Sequence, residues 1–282
     1  MLINGLSANS LFTVHQGQSG GRGLSPRLWN KVYGQGLSPD GYANWYGLSS
    51  DFVSFGGTVA TNVGTYSEGF KSYEDTGSSI GQHASFAGGA VTLTTSSTDN
   101  HEATMQAGYS AGGPFVFSST AGRKLIYEAR FRLGSVASQN YVFGLGAVGL
   151  AANDGVITDV GALASISFIG FNVLEADSTK LKFVYAKSGQ TAQTVFTYST
   201  ALAASTWVKA GFIYDPLAPT SKRITAFIDN VEQSTYVTGT NMSAATFPAD
   251  VYMAPVFSTK NGAASSKTVD FDWFGAAQDG NL

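Results

Sequence analysis

The sequence contains no cysteine, and it has few charged residues and few histidines. The absence of cysteine excludes a disulfide framework, a thiolate metal site and a cysteine nucleophile. Charged residues make up 12% of the 282 positions, against about 25% in typical proteins. The histidines, His15, His83 and His101, lie far apart and show no metal-ligand spacing. We therefore expect neither a metal ion nor another cofactor.

Positive charge and long apolar segments are scarce as well. Sixteen Lys and Arg against 19 Asp and Glu give a net charge of −3, which provides no basic surface for nucleic acid. The N-terminus lacks the basic region and apolar stretch of a secretory signal, and no apolar run is long enough to span a bilayer. We expect no nucleic-acid partner, no membrane segment and synthesis in a cytoplasm.

Glycine and aromatic residues are abundant, and from residue 51 onward the apolar residues alternate with polar ones. In the segment 124–132, four apolar residues point one way and four charged residues the other, with Ile126 as the exception. The apolar set is Leu125, Tyr127, Ala129 and Phe131, and the charged set is Lys124, Glu128, Arg130 and Arg132. About twelve such strands predict an all-β fold, an antiparallel β-sandwich of jelly-roll type over residues 51–282.

Further strands are predicted by the same alternation. Asp229-Asn230 reads as the turn of a hairpin, because both residues tolerate positive φ. Gly144 and Gly146 fall inside a strand pattern, where glycine marks a bulge or a close approach of two backbones. The other predicted strands are 91–95, 103–107, 115–118, 141–148, 165–173, 180–185, 194–198, 207–214, 223–229, 251–258 and 269–273.

Residues 1–50 differ from the rest and are predicted to form an extended N-terminal arm. They contain the phrase Gly-Leu-Ser four times, at 5–7, 23–25, 36–38 and 47–49, separated by turn-forming residues. The arm also carries two Trp and three Tyr, more than a flexible linker needs. These aromatics either fold back on the core of the chain or dock on another subunit. The predicted partner-contact residues are Leu6, Leu24, Arg27, Trp29, Tyr33, Leu37, Tyr42, Trp45, Tyr46 and Leu48.

The acidic residues give weak support for catalysis. Glycoside hydrolysis needs two carboxylates facing one sugar bond, and only Asp270 and Asp272 share the two-residue spacing within a predicted strand. Alternating charges usually solvate an exposed sheet face, and that is our expectation for this pair. The loop 153–159 has calcium-ligand chemistry without the full spacing of a calcium site. His101-Glu102 reads as a loop before a strand. We therefore predict that the protein is not an enzyme.

Several strand sequences resemble those of concanavalin A-like sandwich domains. The carriers are the segment 124–131, the Phe-Gly-Leu-Gly of 143–146, and the later strands 207–215, 224–230 and 269–273. Together with 50–53 and 71–77, they are also similar to a group of virion proteins of tailed bacteriophages. The resemblance covers residues 50–278 and implies a structural protein on the capsid surface, made in the host cytoplasm.

The sequence is compatible with two functions. The first is a capsid decoration or cement protein, which would bind the major capsid protein and other virion subunits and form a homo-oligomer, for which a trimer is the candidate state. The second is a carbohydrate-binding module of a head or tail fibre, in which exposed Tyr or Trp side chains stack on surface glycans.

Overall fold

The computed structural model shows two antiparallel β-sheets stacked face to face. The structure describes residues 24–25, 27–29, 45–53, 55–60, 62–86, 88–107, 113–118 and 122–279, with only the backbone at 45, 46 and 68. The predicted β-sandwich is therefore confirmed. The described residues contain 17 strands rather than about twelve. Eleven of the twelve predicted segments correspond to one strand each, and six further strands were not predicted, at 45–50, 57–60, 63–66, 70–74, 79–82 and 231–237.

One sheet has eight strands. Its order is β15-β14-β13-β8-β17-β6-β5, and β1 pairs with the remaining length of β17. Its strands are β1 (Trp45–Ser50), β5 (Ser79–Gln82), β6 (Val91–Thr94), β8 (Leu125–Leu133), β13 (Trp207–Tyr214), β14 (Ile224–Ile228), β15 (Val231–Val237) and β17 (Thr268–Asp279). β17 thus pairs with three strands and is central to this sheet.

The other sheet has nine strands in the order β12-β11-β10-β9-β16-β7-β4-β3-β2. Its strands are β2 (Gly57–Ala60), β3 (Val63–Tyr66), β4 (Phe70–Glu74), β7 (Glu102–Ala107), β9 (Gln139–Ala147), β10 (Phe168–Val173), β11 (Lys182–Ala186), β12 (Gln193–Thr197) and β16 (Met253–Asn261). One short helix, α1 (Gly239–Ser243), begins with a capping box between Thr238 and Asn241.

The inward faces of the two sheets meet in a core rich in phenylalanine. Phe131 of β8 and Phe143 of β9 lie with their ring centroids 4.6 Å apart, which joins the sheets at the centre. Phe257 and Phe271 make a second cross-sheet pair at 4.7 Å. The alternation in the sequence reflects this arrangement, because the inward residues of β8 all belong to the same buried cluster.

Local predictions are confirmed where glycine or turn chemistry decides the backbone. Asp229 and Asn230 both have positive φ and join β14 to β15. A Cβ on Gly144 would lie 2.4 Å from the carbonyl oxygen of Ile169, so this glycine allows β9 and β10 to approach closely. The predicted strand at 115–118 is wrong, because Phe115 forms only an isolated bridge to Met253.

A β-bulge overturns the predicted alternation in β17. The register with β8 shifts between Phe271 and Trp273, so Asp272 is the extra residue. Phe271 and Phe274 therefore enter the core, and Trp273 pairs with Arg130 instead. Sequence alternation has no signal for such an insertion, which is why Trp273 was expected on the face of Phe271.

The first sheet strand lies inside the predicted arm. β1 pairs with β17 over its full length, from Trp45 opposite Asp279 to Ser50 opposite Phe274. Leu48 packs against the core from this strand. The sandwich thus starts before residue 50, because β1 pairs with the C-terminal half of β17.

Candidate functional site

A short N-terminal segment lies on the outer face of the eight-stranded sheet. We call residues 24–25 and 27–29 the strap. The backbone N–H groups of Leu28 and Trp29 both donate to the carbonyl of Ser25, at 3.1 and 3.0 Å, which closes one helical turn. Leu28 and Trp29 are almost fully buried, and Arg27 is exposed. The strap thus presents two apolar anchors to the sheet and one charge to solvent.

A single buried carboxylate holds the strap. Glu128 of β8 accepts hydrogen bonds from the Ser25 backbone N–H at 3.0 Å and from the Trp29 indole N–H at 2.7 Å. Burial raises the pKa of the Glu128 carboxyl above its usual range, and these two donors oppose the shift because they favour the charged form. Glu128 therefore gives the strap a fixed register on the sheet.

Two glycines beside Glu128 make room for the anchors. Gly211 of β13 and Gly275 of β17 both pair with Glu128, one on each side. A Cβ on Gly211 would lie 2.8 Å from a methyl carbon of Leu28, and one on Gly275 would lie 3.1 Å from Cζ2 of Trp29. We call this row, Gly211–Glu128–Gly275, the strap pocket. Its apolar walls include Ile126, Ile213, Phe227 and Ala277.

The strap explains part of the predicted partner-contact set. Leu24 and Trp29 contact the chain's own sheet, and Leu48 contacts its own core, as expected if the arm folds back. The Arg27 backbone N–H donates to Asn230 at 2.8 Å. Trp45 and Tyr46 lie in β1. The remaining predicted residues, Leu6, Tyr33, Leu37 and Tyr42, lie outside the described residues, and contact of any of the ten with a capsid stays a prediction.

A second polar and aromatic cluster lies on the same outer face, around Trp207. The guanidinium carbons of Arg130 and Arg132 lie 4.5 and 4.8 Å from the centroid of the Trp207 ring. Phe86 contacts the same indole with a centroid separation of 5.0 Å. The His83 ring lies 3.1 Å from a nitrogen of Arg132. Trp207 remains partly exposed, so part of the indole reaches solvent beside polar neighbours. We call these five residues the Trp207 cluster.

The carboxylates under this cluster are ion-paired, and the expected exposure of Asp270 and Asp272 is wrong. Asp270 accepts from Nε of Arg132 at 2.9 Å and from Thr92 at 2.6 Å. Asp272 is fully buried and pairs with Arg130. The neighbouring Arg side chains therefore neutralise both carboxylates. The same ion pairs hold the guanidinium groups against the indole.

The outer face of the nine-stranded sheet is covered by the connection between β9 and β10. Apolar residues of this segment, which we call the cover loop (residues 148–167), form a second buried cluster with the sheet. Its members are Val142, Val156, Ile157, Ile166, Phe168, Val184 and Val256. Connections of this length are unusual unless they form binding loops or lids. Here the loop occupies the centre of the sheet face.

A buried lysine fixes the cover loop. The Lys260 ammonium lies 2.7 Å from Asp159, 3.1 Å from Asp154 and 3.0 Å from the Ile157 carbonyl, all in the loop. It also lies 4.0 Å from Glu102 of β7. The carboxylates of the loop, Asp154 and Asp159, therefore bind an ammonium group. Among the residues that the structure describes, no group of three His, Asp or Glu could hold a metal ion.

Glu102 begins β7 instead of preceding it in a loop, and it is fully buried. It accepts hydrogen bonds from Thr104 and, at 3.0 Å, from Ser258. Burial, followed by the neighbouring Asp154, raises the pKa of Glu102 to about 8, although Thr104 and Lys260 oppose the shift. This carboxyl is therefore protonated or charged according to pH in the neutral range.

Comparisons with known proteins identify the architecture. No protein-family model matches the sequence, and no curated protein matches it. Peanut lectin is 11% identical with a TM-score of 0.52, covering 84% of this chain and 98% of that one. Arcelin-5, a lectin-like defense protein from Phaseolus vulgaris, is 8% identical with a TM-score of 0.51, covering 85% and 100%. The fold is that of the lectin-like jelly rolls.

A third solved structure extends over more of this lectin-like jelly roll. It is a protein of unknown function from Shewanella oneidensis MR-1, 18% identical with a TM-score of 0.53, and the match covers 91% of this chain and 95% of that chain. The concanavalin A-like resemblance in the sequence is thus confirmed for the fold. The resemblance to phage virion proteins stays a prediction.

The sequence did not predict the roles of three side chains in the strap pocket and the Trp207 cluster: Glu128, Arg130 and Trp207. Glu128 and Arg130 were assigned only to the charged face of β8, opposite the apolar residues, and no role was predicted for them. Ile126 was the available signal, since an apolar residue on the charged face of β8 indicates that this face is covered. Ile126 packs with Leu28 and Trp29. Trp207 gave no signal of its own, because exposed and core aromatics look alike in a sequence.

Proposed function

We propose that the protein is a carbohydrate-binding, non-catalytic module whose ligand surface is the Trp207 cluster. The observation that carries this proposal is the partly exposed Trp207 indole, held by Arg130 and Arg132 and flanked by polar side chains. The lectin-like fold supports the proposal, because that architecture is shared with peanut lectin and arcelin-5.

The chemistry of the cluster suits a sugar. An indole presents apolar surface to the C–H groups of a sugar ring, and the partly exposed side chains of Arg132 and His83 can bond hydroxyls. The ion pairs of Arg130 with Asp272 and Arg132 with Asp270 hold these groups in place before a ligand arrives. Such preorganisation reduces the ordering cost of binding. The net charge of the four paired side chains is zero, which favours a neutral glycan over a polyanion.

The acidic residues support binding without cleavage. In the part of the chain that the structure describes, five carboxylates are buried, and each has a protein partner: Glu74, Glu102, Glu128, Asp270 and Asp272. A glycosidase needs two carboxylates that face the scissile bond. In this sandwich the buried carboxyl groups instead hold strands, strap and cover loop together.

The test is glycan-array binding by the full chain, with Trp207→Ala as the critical variant. We expect a defined set of glycans to bind the wild type and to bind Trp207→Ala about tenfold or more weakly, as expected for a lost stacking contact. Tyr252→Ala is the matched control, because Tyr252 is also an exposed aromatic, at 65%, but lies beside the nine-stranded sheet. No binding by the wild type, or equal loss in both variants, would contradict the proposal.

A second candidate function is attachment to a phage particle as a capsid decoration protein. It rests on the sequence resemblance of residues 50–278 to phage virion proteins, because the strap itself docks on the chain's own sheet. Deleting residues 1–23 leaves the strap and β1 in place. Under this candidate function, the deletion lowers occupancy on purified particles. Unchanged occupancy would argue that these residues make no contact with the shell.

A further inference from the structure

The strap pocket has the properties of a peptide-binding site. It combines one buried acceptor, Glu128, with two positions where a missing Cβ admits a side chain, Gly211 and Gly275. The segment that it binds is short, and the pocket contacts it through the Ser25 N–H, the Leu28 side chain and the Trp29 indole. Such paired features are typical of sites that recognise a short peptide segment.

Gly275 makes room for the strap and not for another strand of the sheet. The atoms nearest to a Cβ at Gly275 all belong to the strap: Cζ2 and Cη2 of Trp29 at 3.1 and 3.3 Å, and a methyl of Leu24 at 3.8 Å. The sheet itself would therefore tolerate a side chain there. The absence of one serves the docked strap and not the packing of β17 on its neighbours.

The chain between the strap and the sheet is longer than its end points require. Trp29 lies over Gly275, and β1 begins opposite Asp279, four residues further along β17. Four strand residues span about 13 Å. The 15 residues between Trp29 and Trp45 can span about 50 Å when extended. The connection can therefore reach a pocket on a neighbouring molecule.

We propose that the strap pocket also accepts the strap of a second copy of this chain, so that neighbouring copies exchange their N-terminal segments. The fit of this occupant is given by the chain's own strap, because a second copy offers identical atoms to an identical pocket. Exchange of an identical element needs no new contact and is a recognised route to oligomers.

The chain's own strap competes with that of a neighbour. Docking of the own strap is intramolecular, with an effective concentration of about millimolar order, so exchange is suppressed in dilute solution. It becomes favourable where copies are crowded, or where the own strap cannot dock. This condition suggests a complementation experiment that removes the competition.

Two variants of the full chain are made and mixed. Gly275→Val blocks the pocket but leaves the strap intact, and Leu28→Ala/Trp29→Ala leaves the pocket open but removes the anchors. Each variant alone is expected to be monomeric by native mass spectrometry and sedimentation. An equimolar mixture is expected to form a one-to-one heterodimer, because the intact strap of one variant enters the open pocket of the other.

Gly81→Val is the matched control for the blocking variant. It adds the same side chain to the same sheet, where nothing lies within 4 Å of a Cβ. Mixed with the anchor variant, it should form little heterodimer, because its own strap fills its own pocket. A mixture of the blocked and anchor variants that stays monomeric near millimolar concentration would overturn the proposal.

A peptide experiment covers the case in which a variant fails to fold. A synthetic peptide of residues 22–30 should bind the anchor variant and not Gly275→Val, measured by titration calorimetry with circular dichroism as the folding check. If Gly275→Val unfolds, Gly275→Ala replaces it and should bind the peptide more weakly than the anchor variant does. Equal binding to pocket-open and pocket-blocked chains would place the peptide elsewhere and refute exchange.

Discussion

The two outer faces of the sandwich are both covered, but they are covered in different ways. The strap covers part of the eight-stranded sheet with two apolar anchors and two N–H donors to one carboxylate, Glu128. The cover loop lies on the nine-stranded sheet and is fixed by the buried ammonium of Lys260, which faces three carboxylates. Both arrangements bury apolar surface that a sheet face would otherwise expose.

The difference concerns connection as well as chemistry. The cover loop joins β9 to β10 and is held by the sheet at both ends. The strap precedes every described strand in the sequence and joins no two of them. It can therefore leave its site without breaking a connection between strands, whereas the cover loop cannot. We therefore expect cover-loop changes to alter global stability and strap changes to alter local opening.

The largest expected effect comes from Lys260→Met. Removing the ammonium leaves Glu102 and Asp154 close together without a counter-charge, and breaking such a buried pair costs about 3–5 kcal/mol. We expect the lower end of this range, about 3 kcal/mol, because Asp154 and Asp159 still reach solvent. Urea unfolding at pH 9 measures the loss, because Glu102, with a pKa of about 8, is mostly charged there.

Lys222→Met is the control for that measurement. It also breaks an ion pair, with Glu232, but both side chains are partly exposed and solvent screens the charges. We expect a loss under about 1 kcal/mol. Similar losses in the two variants would show that Lys260 does not hold the cover loop.

An intermediate effect is expected from pH. Because the pKa of Glu102 is raised to about 8, the folded state binds this proton more tightly than the unfolded state does. The resulting stabilisation is complete below the ordinary Glu pKa and is lost as pH rises through about 8. At up to about 1.4 kcal/mol per pH unit, wild type should lose about 2 kcal/mol between pH 6 and 8.

Glu102→Gln tests the origin of that loss. The amide keeps an oxygen that can accept from Thr104 and Ser258 but cannot ionise. Its free energy of unfolding should therefore change much less over the same pH interval, measured by urea titration at each pH. A variant that follows the wild-type pH profile would assign the loss to other groups.

The smallest global effect is expected from Trp29→Ala. Loss of the indole and its hydrogen bond to Glu128 should weaken strap docking by about 1–2 kcal/mol, but global unfolding should change little. Hydrogen exchange should speed up in the strap and stay unchanged in the cover loop. A large fall in global stability would instead make the strap an integral part of the sandwich.

Much of the fold could be predicted from the sequence because one physical rule dominates it. Alternating residues identify the core face of β8, and turn chemistry locates the β14–β15 hairpin. The rule is silent about what covers the opposite face. Alternation placed Glu128 and Arg130 only on the charged face of β8, and Asp272 was expected on an exposed face, although each is buried by a partner far away in the sequence.

The candidate sites were harder to predict because they depend on side chains that glycine lacks and on one residue inserted as a β-bulge. The strap pocket is formed by the absent Cβ atoms of Gly211 and Gly275, and glycine in a strand suggests many other roles. The bulge at Asp272 brings Trp273 onto the outer face without any change in residue type. Nothing in the sequence around Lys260 predicts its burial, because its partners Asp154 and Asp159 lie far away in the sequence.

The position of β17 in its sheet has a consequence for synthesis. β1 and β6 both pair with β17, yet β1 precedes it by more than 200 residues. At usual elongation rates, β1 waits roughly 10 to 40 seconds for its partner to be translated. During that interval the two strands expose unpaired edges, which are templates for wrong pairing. When several ribosomes translate one message, the exposed edges of neighbouring nascent chains can therefore pair wrongly with each other.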